Sequence, residues 1–167
     1  MSYMVDMSLP PAELLLGLIN QENPKANFTF QTVQFDPGGP SNTTLYGKDT
    51  MIYLLPLKGA GFFGKKAFYY NRINLADFLG SSGVKIEPDK YTETAELLPL
   101  VMSQLGINLT RGDIYNDYII PLTKDTQSKI RISVRSIMYK GYVPVHLGPQ
   151  SIFAGLKNRL LDGFHKP

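Results

Sequence analysis

The sequence predicts an α+β fold in which two tandem repeats, each a helix plus a three-stranded antiparallel unit with a short helix after it, form one domain of 167 residues. Three observations predict it. Leu14, Leu15, Leu18 and Ile19 fall on one helical stripe. Several segments alternate apolar and polar side chains, Lys129 to Arg135 most strictly. Short strings from the first half return in the same order in the second. A chain of this length buries a core without staples.

The first helix opens at Ser8-Leu-Pro-Pro-Ala-Glu, with Ser8 as N-cap candidate and prolines in the first turn, and stops at Asn23-Pro24. Phe28 to Phe35 reads as a strand whose phase shifts near the middle, as a bulge would make it. Asp36-Pro-Gly-Gly-Pro-Ser-Asn42 is the densest turn cluster and predicts a surface loop. Met51 to Leu57 is a strand, the aromatic-rich Lys66 to Ile73 another, and Asn74 to Leu79 a short helical turn ending at Gly80. Val84 to Glu87 is a short strand. A second helix is expected over 92–105, closed by Gly106. Asp113 to Ile120 and Ser128 to Ser136 read as strands, the latter with Ile130, Ile132 and Val134 facing the core and Arg131, Ser133 and Arg135 facing out. Tyr142 to Leu147 is the last strand, and Ser151 to Leu161 a basic amphipathic helix.

Ala12-Glu-Leu-Leu15 recurs as Ala95-Glu-Leu-Leu98, Asn27-Phe-Thr29 as Asn108-Leu-Thr110, and the strand around Ile52 and Leu54 as that around Ile130 and Ile132. The offset shrinks steadily along the chain, as short deletions in one direction would make it. This predicts a duplication, with repeat one at about 10–80 and repeat two at about 84–162.

Gly59-x-Gly61-x-x-Gly64 has the spacing of a dinucleotide fingerprint. That fingerprint needs a helix after its glycines to face the pyrophosphate. Strand-like sequence follows here instead, and at the repeat offset only Gly64 has a glycine partner, Gly141. The motif is therefore expected to be a turn between strands. With no cysteine, thiolate metal sites, disulfides and thiol nucleophiles are excluded. His146 sits on a predicted strand and His165 in the C-terminal tail, neither paired with a carboxylate motif. Asp113 and Asp117 on a strand would lie about 13 Å apart, too far to share a proton or a metal. Arg111-Gly-Asp113 reads as a turn. No catalytic, cofactor-binding or metal-ligating residue is expected, and no cofactor.

A net charge of +3 with scattered basic residues leaves a faint electrostatic footprint, so nucleic acid is not expected as a partner. No run of about 18 apolar residues predicts a membrane span, and the N-terminus lacks the pattern of a signal peptide. No membrane partner is expected.

Two stretches carry a resemblance: Phe68-Tyr-Tyr-Asn-Arg-Ile-Asn-Leu-Ala-Asp-Phe78, and Thr94 to Ile114 with its Leu97-Leu98-Pro99, Leu109-Thr110 and Asp113-Ile114. Together they resemble a domain of uncharacterised virion structural proteins of large tailed bacteriophages, over roughly residues 10 to 147, although Asn74 stands where that pattern has an aspartate. The resemblance implies no catalytic residues. It implies a non-enzymatic head or tail component in many copies per particle, assembled in the host cytoplasm, with other virion proteins as partners. A glycan- or receptor-binding module is the alternative reading, and a small nucleotide-binding enzyme a third. The candidate assembly contacts are Tyr3, Met4, Val5 and Met7 near the N-terminus, Tyr142 and Val143 on the last strand, and Leu156, Leu160, Leu161 and Phe164 near the C-terminus.

Overall fold

The computed structural model describes residues 5–87, 90–119 and 128–147, and these fold as a mixed α+β structure with few helices and several small sheets. Helix α1 (Pro11–Glu22) begins with proline at its first position, where the missing N–H has no partner to lose. Its N-cap is Pro10 rather than Ser8. Ser8 instead donates its N–H and its hydroxyl to the Asp6 carboxylate. Leu14, Leu15 and Ile19 enter the main core, while Leu16 enters a satellite with Val33 and Leu54.

The first sheet is built on β3 (Thr50–Pro56). It pairs antiparallel with β1 (Val33–Phe35), β2 (Ser41–Asn42) and β4 (Lys66–Tyr70). Thr50 is opposite both Asn42 and Tyr70, and Leu54 opposite both Phe35 and Lys66, so β1 and β2 share one edge of β3 and β4 takes the other. The expected strand over 28–35 shrinks to three residues. Thr32 and Val33 both donate to the Thr29 carbonyl, and Asn20 of α1 holds the N–H and C=O of Phe28 at 2.7 and 2.8 Å, so residues 28–32 form a turn.

The other sheets join the two halves. β5 (Ile73–Asn74), which leads into α2 (Leu75–Leu79), runs parallel to β8 (Tyr139–Lys140). β6 (Val84–Ile86) runs parallel to β9 (Tyr142–Leu147), and β9 is antiparallel to β7 (Ser128–Arg131). Leu75, Val84, Leu97, Val101, Ile130, Val143 and Val145 therefore meet α1 and Ile52 in one cluster. Each such burial contributes about 1.5–3 kcal/mol.

The second helical stretch is continuous over 94–105 but changes geometry along its length: a 3-10 turn (Thr94–Leu97), an α turn (Leu98–Leu100) and a π turn (Val101–Leu105). Pro99 has no N–H to return to the Ala95 carbonyl, which instead accepts from Leu98. Gly106 closes the stretch in the left-handed conformation.

Two strand expectations fail in the second half. Residues 111–113 form a 3-10 turn, and over the described residues 114–119 the expected strand makes only isolated bridges, Ile114 to Ile132 and Tyr118 to Glu93. β7 ends at Arg131, because Ser133 donates to the Asp113 carbonyl and Ser136 donates back to Ser133, closing a turn. The turn reverses the expected facing: Ser133 is buried and Val134 is 67% exposed. The helix expected at 151–161 lies outside the described residues. No helix among the described residues is long and apolar enough to cross a membrane.

Candidate functional site

Gly59, Gly61 and Gly64 all lie between β3 and β4, each with φ above +80°, and residue 66 starts a strand, not a helix. The fingerprint spacing is that of a β-hairpin connection. Its tip carries Phe62, half exposed and packed edge-on to Phe28 at 5.7 Å, and Phe63, 98% exposed.

A polar clasp joins the first sheet to the 134–140 segment. The Arg72 guanidinium donates to Thr50 Oγ1 (3.0 Å), Asn42 Oδ1 (3.1 Å) and the carbonyls of Val134 (3.1 Å) and Ser136 (3.3 Å). Its backbone N–H donates to Asp49 Oδ1, whose other oxygen accepts from Lys140 Nζ at 2.7 Å. Asn71 accepts from the Asp49 N–H, and the Tyr70 hydroxyl donates to the Ile137 carbonyl at 2.6 Å. Burial raises the Asp49 carboxyl, but hydrogen bonds from Lys140, Thr50 and the Arg72 amide outweigh it and bring its pKa below the ordinary value. Burial pushes the Tyr70 phenol up.

A second node grips the same segment from behind. Thr110 and Asp113 form a capping box, and the other Asp113 oxygen accepts from the buried Ser136 hydroxyl at 2.8 Å. Asp117 pairs bidentately with Arg131, both contacts 2.7 Å, and this hydrogen-bonded pairing lowers its pKa. His146 Nε2 is 3.1 Å from the Ser81 carbonyl, so that nitrogen carries the proton. These carboxylates are engaged in bonds that hold loops together. Among the described residues no group of three or more His, Asp or Glu is placed to hold a metal ion.

The family described as a family of unknown function (DUF7941) matches residues 4–167. The chain belongs to that family. No curated protein and no solved structure matches it.

In this DUF7941 chain the candidate contact residues separate. Tyr3, Met4, Leu156, Leu160, Leu161 and Phe164 lie outside the described residues. Val5 and Met7 pack against the chain's own core, and the segment is tied down by Asn108, whose N–H donates to the Met7 carbonyl and whose side chain donates to that of Ser8. Tyr142 is 39% exposed, with Lys129 Nζ 4.9 Å above its ring. Val143 is a correction: it points from β9 to the face opposite that of Tyr142, into the main core cluster, and is fully buried opposite Ile130, so no partner reaches it.

Sequence reasoning missed the most exposed aromatics: Phe63, Tyr118 and Tyr46, the last with one edge against Tyr69 at 4.8 Å. Phe62-Phe63 between two glycines was the available signal, because a β-hairpin tip has no interior into which to turn its side chains.

Proposed function

We propose that this chain is a non-enzymatic structural protein of a bacteriophage particle, docking onto neighbouring head or tail subunits through exposed aromatic surface. The observation that carries this reading is the division of labour among its side chains. Arg72, Asp49, Asp113 and Asp117 are taken up in loop-holding bonds, while Tyr46, Phe63, Phe78 and Tyr118 are each more than 60% exposed. Aromatic residues outside a core are the usual anchors of protein interfaces. The resemblance on which the reading also rests is consistent with it: Asn71-Arg72 forms the clasp and Thr110-Asp113 the capping box, which are architectural roles. Mass spectrometry of purified particles, with heads and tails separated, tests the proposal. The chain is expected in one fraction at a fixed ratio to the main subunits; its absence from washed particles would overturn the reading.

The tandem-repeat architecture belongs to the same proposal. In support, each half places a helical stretch before an antiparallel triple, β1·β3·β4 in one and the Ile114 bridge, β7 and β9 in the other. Gly64 and Gly141 both precede the third member with φ near +85°. An experimental structure in which residues 151–156 form a short helix matching α2 is the expected outcome; a strand there would end the duplication argument.

A further inference from the structure

At the hairpin tip Phe62 packs on Phe28 and Lys65 Nζ lies 4.3 Å above the Tyr53 ring, which leaves Phe63 as the outward-facing side chain. Phe63 is 98% exposed, its loop presents Lys58 and Lys65, and Lys66 opens β4; none of the three takes part in the ion pairs found among the described residues. Beside the tip lies an open concavity of about 340 Å³ over α1, bordered by Glu13, Leu16, Gly17, Asn20 and Phe30. Gly17 provides the depth: a side chain there would project into open space. The depression is shallow and open rather than enclosed, so it covers one face of an aromatic side chain. The electrostatics match as well. Glu13 is exposed at the rim and gives the groove a charge opposite in sign to that of the lysines beside Phe63.

We infer that the tip is a self-association element in which Phe63 of one copy seats in the α1 groove of a second, with its neighbouring lysines facing Glu13. Tip and groove are neighbours, since Phe62 packs on Phe28 and Phe28 is bonded to Asn20 of the groove. A two-fold axis therefore lets both tips engage at once, which closes the assembly as a dimer. Two small contacts bury less than the standard interface of about 1,600 Å², so the dimer is weak and concentration-dependent. The inference stands on the hairpin and the groove alone, independently of the virion reading.

Sedimentation equilibrium of the full chain, at concentrations up to about 1 mM and at two salt levels, tests it. A monomer–dimer equilibrium weakened by salt is expected. Phe63→Ser and Glu13→Lys should each raise the dissociation constant at least about tenfold. Both positions are exposed, so the melting temperature should not move. Combining Glu13→Lys with Lys65→Glu and Lys66→Glu should restore dimerisation. A chain that stays monomeric throughout, a dimer indifferent to Phe63→Ser, or a triple variant no better than Glu13→Lys would each overturn the inference.

Discussion

Arg72 shows how much one side chain can hold. Four acceptors from three separate segments converge on its guanidinium, a planar fork that lysine cannot reproduce. Bonds to a charged group are worth about 1.5–3 kcal/mol each in favourable settings, and part of this site is exposed, so Arg72→Ala should cost about 2–4 kcal/mol in urea unfolding, with Arg72→Lys recovering little. Asp49 beside it makes the clasp sensitive to acid. Its folded pKa lies below its ordinary value, so its contribution is complete above the unfolded pKa and is lost as pH falls through the folded one. Melting temperatures of wild type and Asp49→Asn should differ most near neutrality and converge between about pH 5 and pH 2. Tyr139 is the opposite case. Its ring is fully buried, its hydroxyl has no hydrogen-bond partner among the described residues, and burial raises its pKa to about 12. Removing an unsatisfied buried hydroxyl recovers its desolvation cost, so Tyr139→Phe should melt at or above the wild-type temperature. A clear loss of stability would mean that this hydroxyl has a partner after all.

At the scale of elements, the β3–β4 hairpin and the one-residue break between β8 and β9 use glycine for different reasons. Gly64 and Gly141 both have positive φ, but a Cβ on Gly64 would meet nothing within 4 Å, whereas on Gly141 it would stand 2.5 Å from Asn74 Oδ1. Asn74 is not free to move, because that oxygen caps α2 by accepting from Ala76 and Asp77. Gly64→Ala should therefore cost only the left-handed backbone penalty of about 1–2 kcal/mol. Gly141→Ala should cost distinctly more, because the cap is disturbed as well, by up to about another 2 kcal/mol. Comparing the two by thermal unfolding checks this; equal losses would show that the backbone alone decides. Edge protection is also specific. The Gln104 amide accepts from the Lys85 N–H at 2.9 Å and donates to its C=O at 3.0 Å, standing in for a neighbouring strand along the edge of β6.

For the whole molecule, the decisive fact is that parallel pairs cross between the halves. β5 with β8 and β6 with β9 place Leu75 and Val84 in the same cluster as Val143 and Val145. Neither half can keep its buried face covered alone. Residues 5–8 belong to the same fabric through Asn108, which changes what a truncation should do. Deleting residues 1–8 removes two acceptors and the packing of Val5 and Met7, so it should lower the melting temperature by several degrees, at about 4–8 °C per kcal/mol for a small domain and less for a larger one. Deleting only residues 1–4 leaves those contacts in place and provides the comparison.

Periodicity, turn chemistry and residue inventory are local properties, and what depends on them was legible in the sequence. The α+β class, α1, the β3–β4 hairpin with its glycine turn, the short α2 and β9 all follow from which side chains sit within a few residues of one another. What the sequence could not reveal arises where distant polar groups compete for the backbone. Asn20 turned residues 28–32 out of the first sheet, and Asp113 with its partners folded 133–136 into a turn that exposes Val134. The Arg72 clasp was visible only as an Asn-Arg pair at a strand end, because its acceptors lie as far as residues 134 and 136. The parallel pairs between halves were hidden for the same reason. A strand of two or three residues has too short a pattern to name its neighbour, and only burial of the shared core selects one.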